Sequence, residues 1–207
     1  MYDVSPFSDA TPAQVLAFIR QHPFAVLAGA DAQGRPVATQ VPLLVDEDAN
    51  QLLLRGHIMR KTDHHLAFMQ NPQVLALFTG PHAYVSASWY SNPRQASTWN
   101  YMSVQAAGTL RFLDADVLHA LLQRTTNYFE GNAASPARFE RLDAAYVQQH
   151  MQAIVAFEIE VQTLRHTFKL SQNRDAESYH SIIHHLQQQG GPTAEVATAM
   201  QQRLNKS

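Results

Sequence analysis

Apolar positions along the chain fall into two rhythms that change partway through. Val15, Phe18 and Ile19 recur at helical spacing behind Thr11, Pro12 and Gln14, which have the form of an N-cap, a first-turn proline and a capping-box glutamine. This predicts a helix that His22-Pro23 ends. Strand-like runs follow. "PFAVLAGA" leads through the turn "DAQGRP", where Gly34 can take positive φ, into "VATQVPLLV"; the turn "DEDAN" then leads into "QLLLRGH". Turns this short make neighbouring strands antiparallel, because a parallel pair needs a long crossover. A short helix is predicted over Lys61–Gln70, stopped by Asn71-Pro72, before the strand "QVLALFTG", a further strand "AYVSAS" and a long one, "NYMSVQAAGTLRFL", with a bend or bulge at Gly108.

The rhythm then turns helical. Leu113–Glu130 carries Val117, Leu118, Leu121 and Leu122 at helical spacing, and "SPARFERLDAAYVQQHM" continues it with Phe139, Leu142 and Tyr146. A last strand, "AIVAFEIEVQTLRH", alternates through Val155, Phe157, Ile159 and Val161. From Asp175 onward two helices are separated by Gly190-Gly191-Pro192, the second with Val196, Met200 and Leu204 at four-residue steps. About six antiparallel strands joined by short turns favour a closed barrel, since closure removes exposed edges. The fold class expected is therefore α+β: an antiparallel barrel with peripheral helices over residues 1–174 and a helical C-terminal appendage over 175–207.

Composition narrows the chemistry. Cysteine is absent, which excludes disulfides, thiolate metal sites and cysteine nucleophiles and fits a cytoplasmic location. The longest apolar runs are too short to span a bilayer, and the N-terminus lacks the pattern of a secretory signal. With a net charge of −2 and no basic stripe, direct DNA binding is not expected. There is no GxGxxG, P-loop, GxSxG elbow or HExxH, so any redox chemistry would belong to a bound cofactor. Glu177, His180 and His184 share a helix face, but packing or solvation explains them better than a metal.

Three stretches carry candidate binding chemistry. In "GHIMRKTDHH", Arg60 and Lys61 stand where a strand gives way to a helix, an arrangement suited to a phosphate. His64 and His65 are adjacent in that helix, so at most one is expected to join a site. "GPHAYVSASWYSNPRQASTWNY", residues 80–101, holds both tryptophans and no acid; Trp89, Tyr90, Trp99 and Tyr101 could flank a planar ligand or a subunit interface while Ser86, Ser88 and Asn100 supply hydrogen bonds. "FKLSQNRD" concentrates Lys169, Ser171, Gln172, Asn173 and Arg174 behind the last strand.

Taken together, "MYDVSPF", "GH..R...H" at 56–64, "GPHAYVSASWY", "TWNY", "V...G" at 104–108 and "KLSQNR" resemble, in order and spacing, the FMN-binding negative transcriptional regulator family of PaiB type. The resemblance implies an FMN-binding split β-barrel of the flavin-reductase and pyridoxamine-phosphate-oxidase kind. It also implies a homodimer with FMN between subunits. It maps the FMN phosphate onto Arg60 and Lys61 with Thr62, and the flavin ring onto Thr39, Gln40 and Val41. The two later motifs map onto Trp99, Asn100, Lys169 and Gln172. Where members read "ARANPHW" this chain has "MRKTDHH", Gln105 replaces a histidine and Phe168 a tryptophan. The function this implies is that of a flavin-binding regulator or sensor; a flavin-dependent NAD(P)H oxidoreductase and a haem-binding barrel are the alternatives.

Overall fold

The computed structural model describes residues 4–48 and 51–204. Met1–Asp3 of the opening motif, Ala49-Asn50 of the turn "DEDAN" and residues 205–207 lie outside them. The elements are α1 (Pro12–Gln21), β1 (Phe24–Ala30), β2 (Pro36–Pro42), β3 (Leu44–Asp48), β4 (Gln51–Met59), α2 (Asp63–Gln70) and β5 (Gln73–Val85). They continue with β6 (Thr98–Phe112), α3 (Ala115–Glu130), α4 (Ala144–Met151), β7 (Ile154–Lys169), α5 (Ala176–Gln189) and α6 (Gly191–Leu204). The seven strands form one antiparallel sheet in the order β2-β1-β5-β6-β7-β4-β3, so the fold is α+β as expected.

The edge strands of that order, β2 and β3, are consecutive in the chain and separated only by Leu43. One residue carries the backbone from one edge of the sheet to the other, which closes the sheet and leaves no long free edge. Leu43 is buried, and its N–H donates to the Pro23 carbonyl at 2.8 Å. The run "VATQVPLLV" is thus two strands, not the single one its pattern predicts.

The chain divides into two compact units. The barrel unit comprises residues 19–78 and 105–164; the terminal unit comprises 1–18, 79–104 and 165–207. In the barrel unit, β1 pairs with β2 from Phe24↔Pro42 to Ala30↔Pro36, and β4 pairs with β7 from Leu53↔Glu160 to Met59↔Ile154. Leu118 and Leu121 of α3 pack on Leu44 and Ala156. Burial in β7 does not alternate: Val155 through Ile159 are all buried, Glu158 among them. That carboxylate is held by Arg55 at 3.1 Å and Arg111 at 2.5 Å, while Arg55 also meets Asp46 at 2.9 Å. A buried carboxylate is tolerated only with such partners. In the terminal unit, Tyr179, Ile182, Ile183 and Leu186 of α5 and Val196, Ala197 and Met200 of α6 close over Ala83, Val85, Tyr90 and Leu170.

Local expectations hold in part. The capping box of α1 forms, with Thr11 N–H donating to Gln14 Oε1 at 2.8 Å and Gln14 N–H to Thr11 Oγ1 at 3.3 Å. "QVLALFTG" and "AYV" are one strand instead of two. Pro81 does not break it because β1 pairs only with Val74–Leu77, so the missing N–H falls beyond that ladder. "SAS" leaves the strand: Ser86 Oγ accepts from Ser88 N–H at 3.2 Å and starts a 3-10 turn over Ala87–Trp89. The long helix after Phe112 is also broken. Gly131 ends α3 at φ 60°, and Asp143 caps a separate α4 through Tyr146 N–H at 2.8 Å. In α6, Val196 and Met200 are buried but Leu204 is exposed.

Gly108 is needed for a reason other than bending. A Cβ placed there would lie 2.1 Å from the Glu160 carbonyl oxygen and 3.1 Å from Ile159 Cγ2. A side chain would have to push two hydrogen-bonded strands apart. Gly108→Ala is therefore expected to destabilise the protein by about 3 kcal/mol or more in denaturant titration, at the upper end of overpacking effects. A loss below about 1 kcal/mol would show that β6 and β7 are not locked at this point.

Candidate functional site

The strand-to-helix turn of the barrel unit is built by backbone bonds first. Arg60 N–H donates to the Ala153 carbonyl at 2.8 Å, and its Nε to the Ile154 carbonyl at 2.9 Å. These two bonds tie the arginine to the start of β7 and leave its outer guanidinium nitrogens for another partner. Lys61 sits at φ 63°, a left-handed conformation that an L-residue adopts at a cost. Its N–H donates to His65 Nδ1 at 3.2 Å, so the reversal of the chain is stitched to α2. Both cations are exposed, and the Lys61 ammonium has no partner among the described residues.

Thr62 is the N-cap of α2. Its hydroxyl accepts from His65 N–H at 3.3 Å, donates to the Met59 carbonyl at 3.0 Å and meets His64 Nε2 at 3.0 Å. Asp63 accepts from His64 N–H at 2.8 Å and pairs with His64 Nδ1 at 3.0 Å; the backbone bond, then the imidazole, holds its carboxyl below the usual range. The two histidines have different surroundings. His64 is engaged by Thr62 and Asp63, whereas His65 is buried against Phe112 with ring centroids 5.0 Å apart. Burial first, then the charge of Arg60, depresses the pKa of His65. The acceptor role of Nδ1 toward Lys61 requires the same neutral imidazole.

The strand expected to run past a flavin ring lies in this same unit, and α2 packs against β1 and β2. Val41 is buried in the barrel core, Thr39 is half-buried and Gln40 is exposed. Thr39, Gln40, Val41, Arg60, Lys61 and Thr62 therefore belong to one compact body.

Trp99, Asn100, Lys169 and Gln172 belong to the terminal unit. Asn100 is fully buried; it accepts from Ser171 Oγ at 2.9 Å and points its amide at Met200 Sδ, 3.5 Å away. Ser171 is buried too, at φ 60°. Gln172 Oε1 accepts from Leu170 N–H at 2.7 Å, and Nε2 donates to the carbonyls of Pro6 and Phe168, each at 2.7 Å. Lys169 donates to Thr98 Oγ1; burial, then the nearby charge of Arg174, weakens its hold on its proton. The polar atoms of Asn100 and Gln172 are thus engaged within the chain, where they fasten the N-terminal segment and α6. Trp99 is different. It is half-exposed and lies beside His82, at 5.6 Å between ring centroids, and Tyr84, at 6.2 Å. Sequence reasoning did not single out His82 and Tyr84, although their two-residue spacing on β5 is the signal that places both on one face.

Of the helical histidines, His180 Nδ1 bonds the Ala176 carbonyl at 2.7 Å and His184 Nε2 meets Gln188 at 3.0 Å. Among the described residues no three His, Asp or Glu side chains are grouped to hold a metal ion, and no helix is long and apolar enough to cross a membrane.

Two outcomes follow from the turn. Lys61→Gly should be more stable than Lys61→Ala by about 1 kcal/mol, because only glycine takes positive φ without a Cβ penalty. Equal stabilities would show that the turn carries no strain. The second concerns acid. His57 and His65 both have pKa values lowered by burial below the ordinary 6.5. The unfolded chain then takes up protons first as pH falls, so the stabilisation present above about pH 6.5 shrinks below it. Urea unfolding should show the midpoint falling from pH 7 to 5, with a shallower fall in His65→Asn, whose amide oxygen replaces the Nδ1 acceptor. An unchanged pH slope in that variant would rule the imidazole out.

The chain matches the model of the family described as "Putative FMN-binding domain" over residues 1–163. It is 30% identical over 207 residues to the Bacillus subtilis protein named "Protease synthase and sporulation protein PAI 2", covering 100% of this chain and 99% of that one. Among solved structures it resembles the FAD and heme binding protein from Mycobacterium smegmatis, with a TM-score of 0.63 and 18% identity over 84% of this chain and 78% of that one. It also resembles the flavocytochrome Anf3 from Azotobacter vinelandii, with a TM-score of 0.64 and 16% identity over 87% of this chain and 78% of that one. These two likenesses are likenesses of fold. With the family matched over most of the sequence and a relative similar along its whole length, the chain belongs to the PaiB-type family of FMN-binding split-barrel proteins.

Proposed function

We propose that this protein binds FMN through the Arg60–Lys61 turn and acts, as a homodimer, as a flavin-binding regulator or sensor. The observation that carries the reading is a pair of exposed cations at a strand-to-helix junction inside the family-matched span. The donor set fits a phosphate: the arginine is braced by two backbone carbonyls through its N–H and Nε, and among the described residues its outer nitrogens and the lysine ammonium make no bond. Thr62 stands beside the two cations as the N-cap of α2. Its hydroxyl is occupied by Met59, His64 and His65, so it holds the turn's shape. Asp63 occupies the His64 amide with its own carboxylate, which leaves phosphate recognition to the two side chains and opposes it by charge. Gln40, exposed on β2 within the same unit, would line the ring's approach. A bound flavin supplies the redox chemistry; the chain's residues bind and orient it.

The apolar surface around the turn supports a partner. Met59, Leu66 and Met69 are each at least 50% exposed and flank the cations on β4 and α2. Side chains of this kind, so close together, favour a ligand or a second subunit over water. The regulatory part of the reading comes from the family; the scattered charge points to action through a flavin or a protein partner more than through direct DNA contact.

Purified protein should show flavin absorption or acquire it on adding FMN, and light scattering should give a dimer mass. Arg60→Ala with Lys61→Ala should weaken FMN binding about a hundredfold in fluorescence titration, since each charge-assisted bond to phosphate is worth about 1.5–3 kcal/mol. Asp63→Asn should tighten it. Equal FMN affinity in wild type and the double variant would overturn the site, and specific retardation of genomic fragments in gel shifts would overturn the indirect mode of regulation.

A further inference from the structure

The family model matches residues 1–163, and the segment beyond it shapes a further feature of the terminal unit. In the terminal unit, the loop after β7 and the helices α5 and α6 border a cavity of about 290 Å³, open to solvent, whose polar lining is Gln172, Arg174, Tyr179, His180 and Arg203. No acidic residue lines it. Tyr179 is already committed, its hydroxyl donating to the Met200 carbonyl at 3.0 Å. Gln172 is committed as described above. Arg203 is paired through two nitrogens with Asp9.

Arg174 is not matched in this way. Its guanidinium carbon lies 4.2 Å from the centre of the Tyr90 ring, and one nitrogen donates to Gln95 Oε1. No carboxylate meets it among the described residues. Asp175, next in sequence, is turned to capping α5: it accepts from Ser178 N–H at 2.8 Å and from the hydroxyls of Ser178 and Ser91. A guanidinium has five N–H donors in a planar fork, so most of this fork is unspent while the ring beneath fixes its plane. Lys169, whose proton affinity is lowered by burial and then by Arg174, adds a second positive charge near the first without relieving it. His180 gives its Nδ1 to the Ala176 carbonyl, leaving Nε2 as its remaining polar atom. Fixed donors on the cavity wall, with no carboxylate opposite Arg174 among the described residues, form an arrangement that an oxyanion would complete.

We propose that this cavity is a second ligand site, taking a small metabolite whose carboxylate or phosphate is gripped by Arg174. Its volume lies at the lower end of small-molecule pockets, so the occupant is of amino-acid or sugar-phosphate size, not a flavin nucleotide. The site is therefore distinct from the Arg60–Lys61 turn and does not depend on that assignment.

The full chain, labelled with ¹⁵N, is titrated separately with inorganic phosphate and with acetate, following the Arg174 Nε–H resonance and the amides of residues 172–180. The expected result is a saturable shift with at least one probe, weakened about tenfold or more in Arg174→Gln, a change of about 1.4 kcal/mol. His180→Ala should weaken it by a smaller factor. Which probe saturates decides between the two oxyanions. Phosphate captured at the Arg60–Lys61 turn reports on different resonances. If Arg174→Gln fails to fold by circular dichroism, Arg174→Lys serves instead, keeping the charge while losing the fork, and is expected to bind about tenfold more weakly. No saturable shift with either probe, or full affinity in the folded Arg174 variant, overturns the proposal.

Discussion

Closure of the barrel unit depends on a single crowded point. The backbone passes from β2 to β3 at Leu43 and does so against Gly56 of β4, where a Cβ would stand 2.9 Å from Leu43 Cδ2, 3.0 Å from Phe157 Cζ and 3.1 Å from the Pro42 carbonyl oxygen. Any side chain at 56 would lift the crossing off the strand beneath it. Because Gly56 is followed four residues later by Arg60, the contact that closes the sheet also fixes where the cations emerge. Fold and candidate site share a strand, and neither can be moved without the other.

Past the strand ends, the chain uses the same device twice. Lys61 after β4 and Ser171 after β7 both take positive φ, and each lies shortly before a capped helix, with Thr62 and Asp175 as the caps. Glycine would relieve both positions, so the retained side chains need a use. At Ser171 it is visible: the hydroxyl satisfies buried Asn100. At Lys61 no group within the described chain uses the ammonium, a difference in keeping with the binding role proposed for Lys61 and a structural one for Ser171.

Much of this architecture was legible because local chemistry and global fold agreed. The capping box of α1, the β1–β2 hairpin with Gly34 at φ 78° and the helix before Asn71-Pro72 follow from turn and cap residues alone. What was not legible required knowing neighbours. "VATQVPLLV" has no internal break signal, so the crossing at Leu43 could not be seen. "QVLALFTG" and "AYVSAS" read as separate strands because the partners that carry β5 past Pro81 were unknown. Glu158 fits an alternating pattern, yet it is buried, and only Arg55 and Arg111 from other strands make that tolerable. The site was legible in the same measure. Adjacent cations before a helix announce themselves, whereas the inward commitments of Thr62, Asn100 and Gln172 depend on partners such as Met59, Ser171 and Pro6 that spacing does not reveal.

The clasp between Asp9 and Arg203, with Gln172 holding the Pro6 carbonyl, has a consequence for synthesis. The terminal unit is assembled from residues 1–18, 79–104 and 165–207, so its earliest segment waits for partners made well over a hundred residues later. Residues 19–164 complete the barrel unit and can begin to organise while the ribosome is still adding α5 and α6. On this order an earlier-made segment is finished later than the barrel unit, because Pro6 and Asp9 meet Gln172 and Arg203 only after α5 and α6 exist.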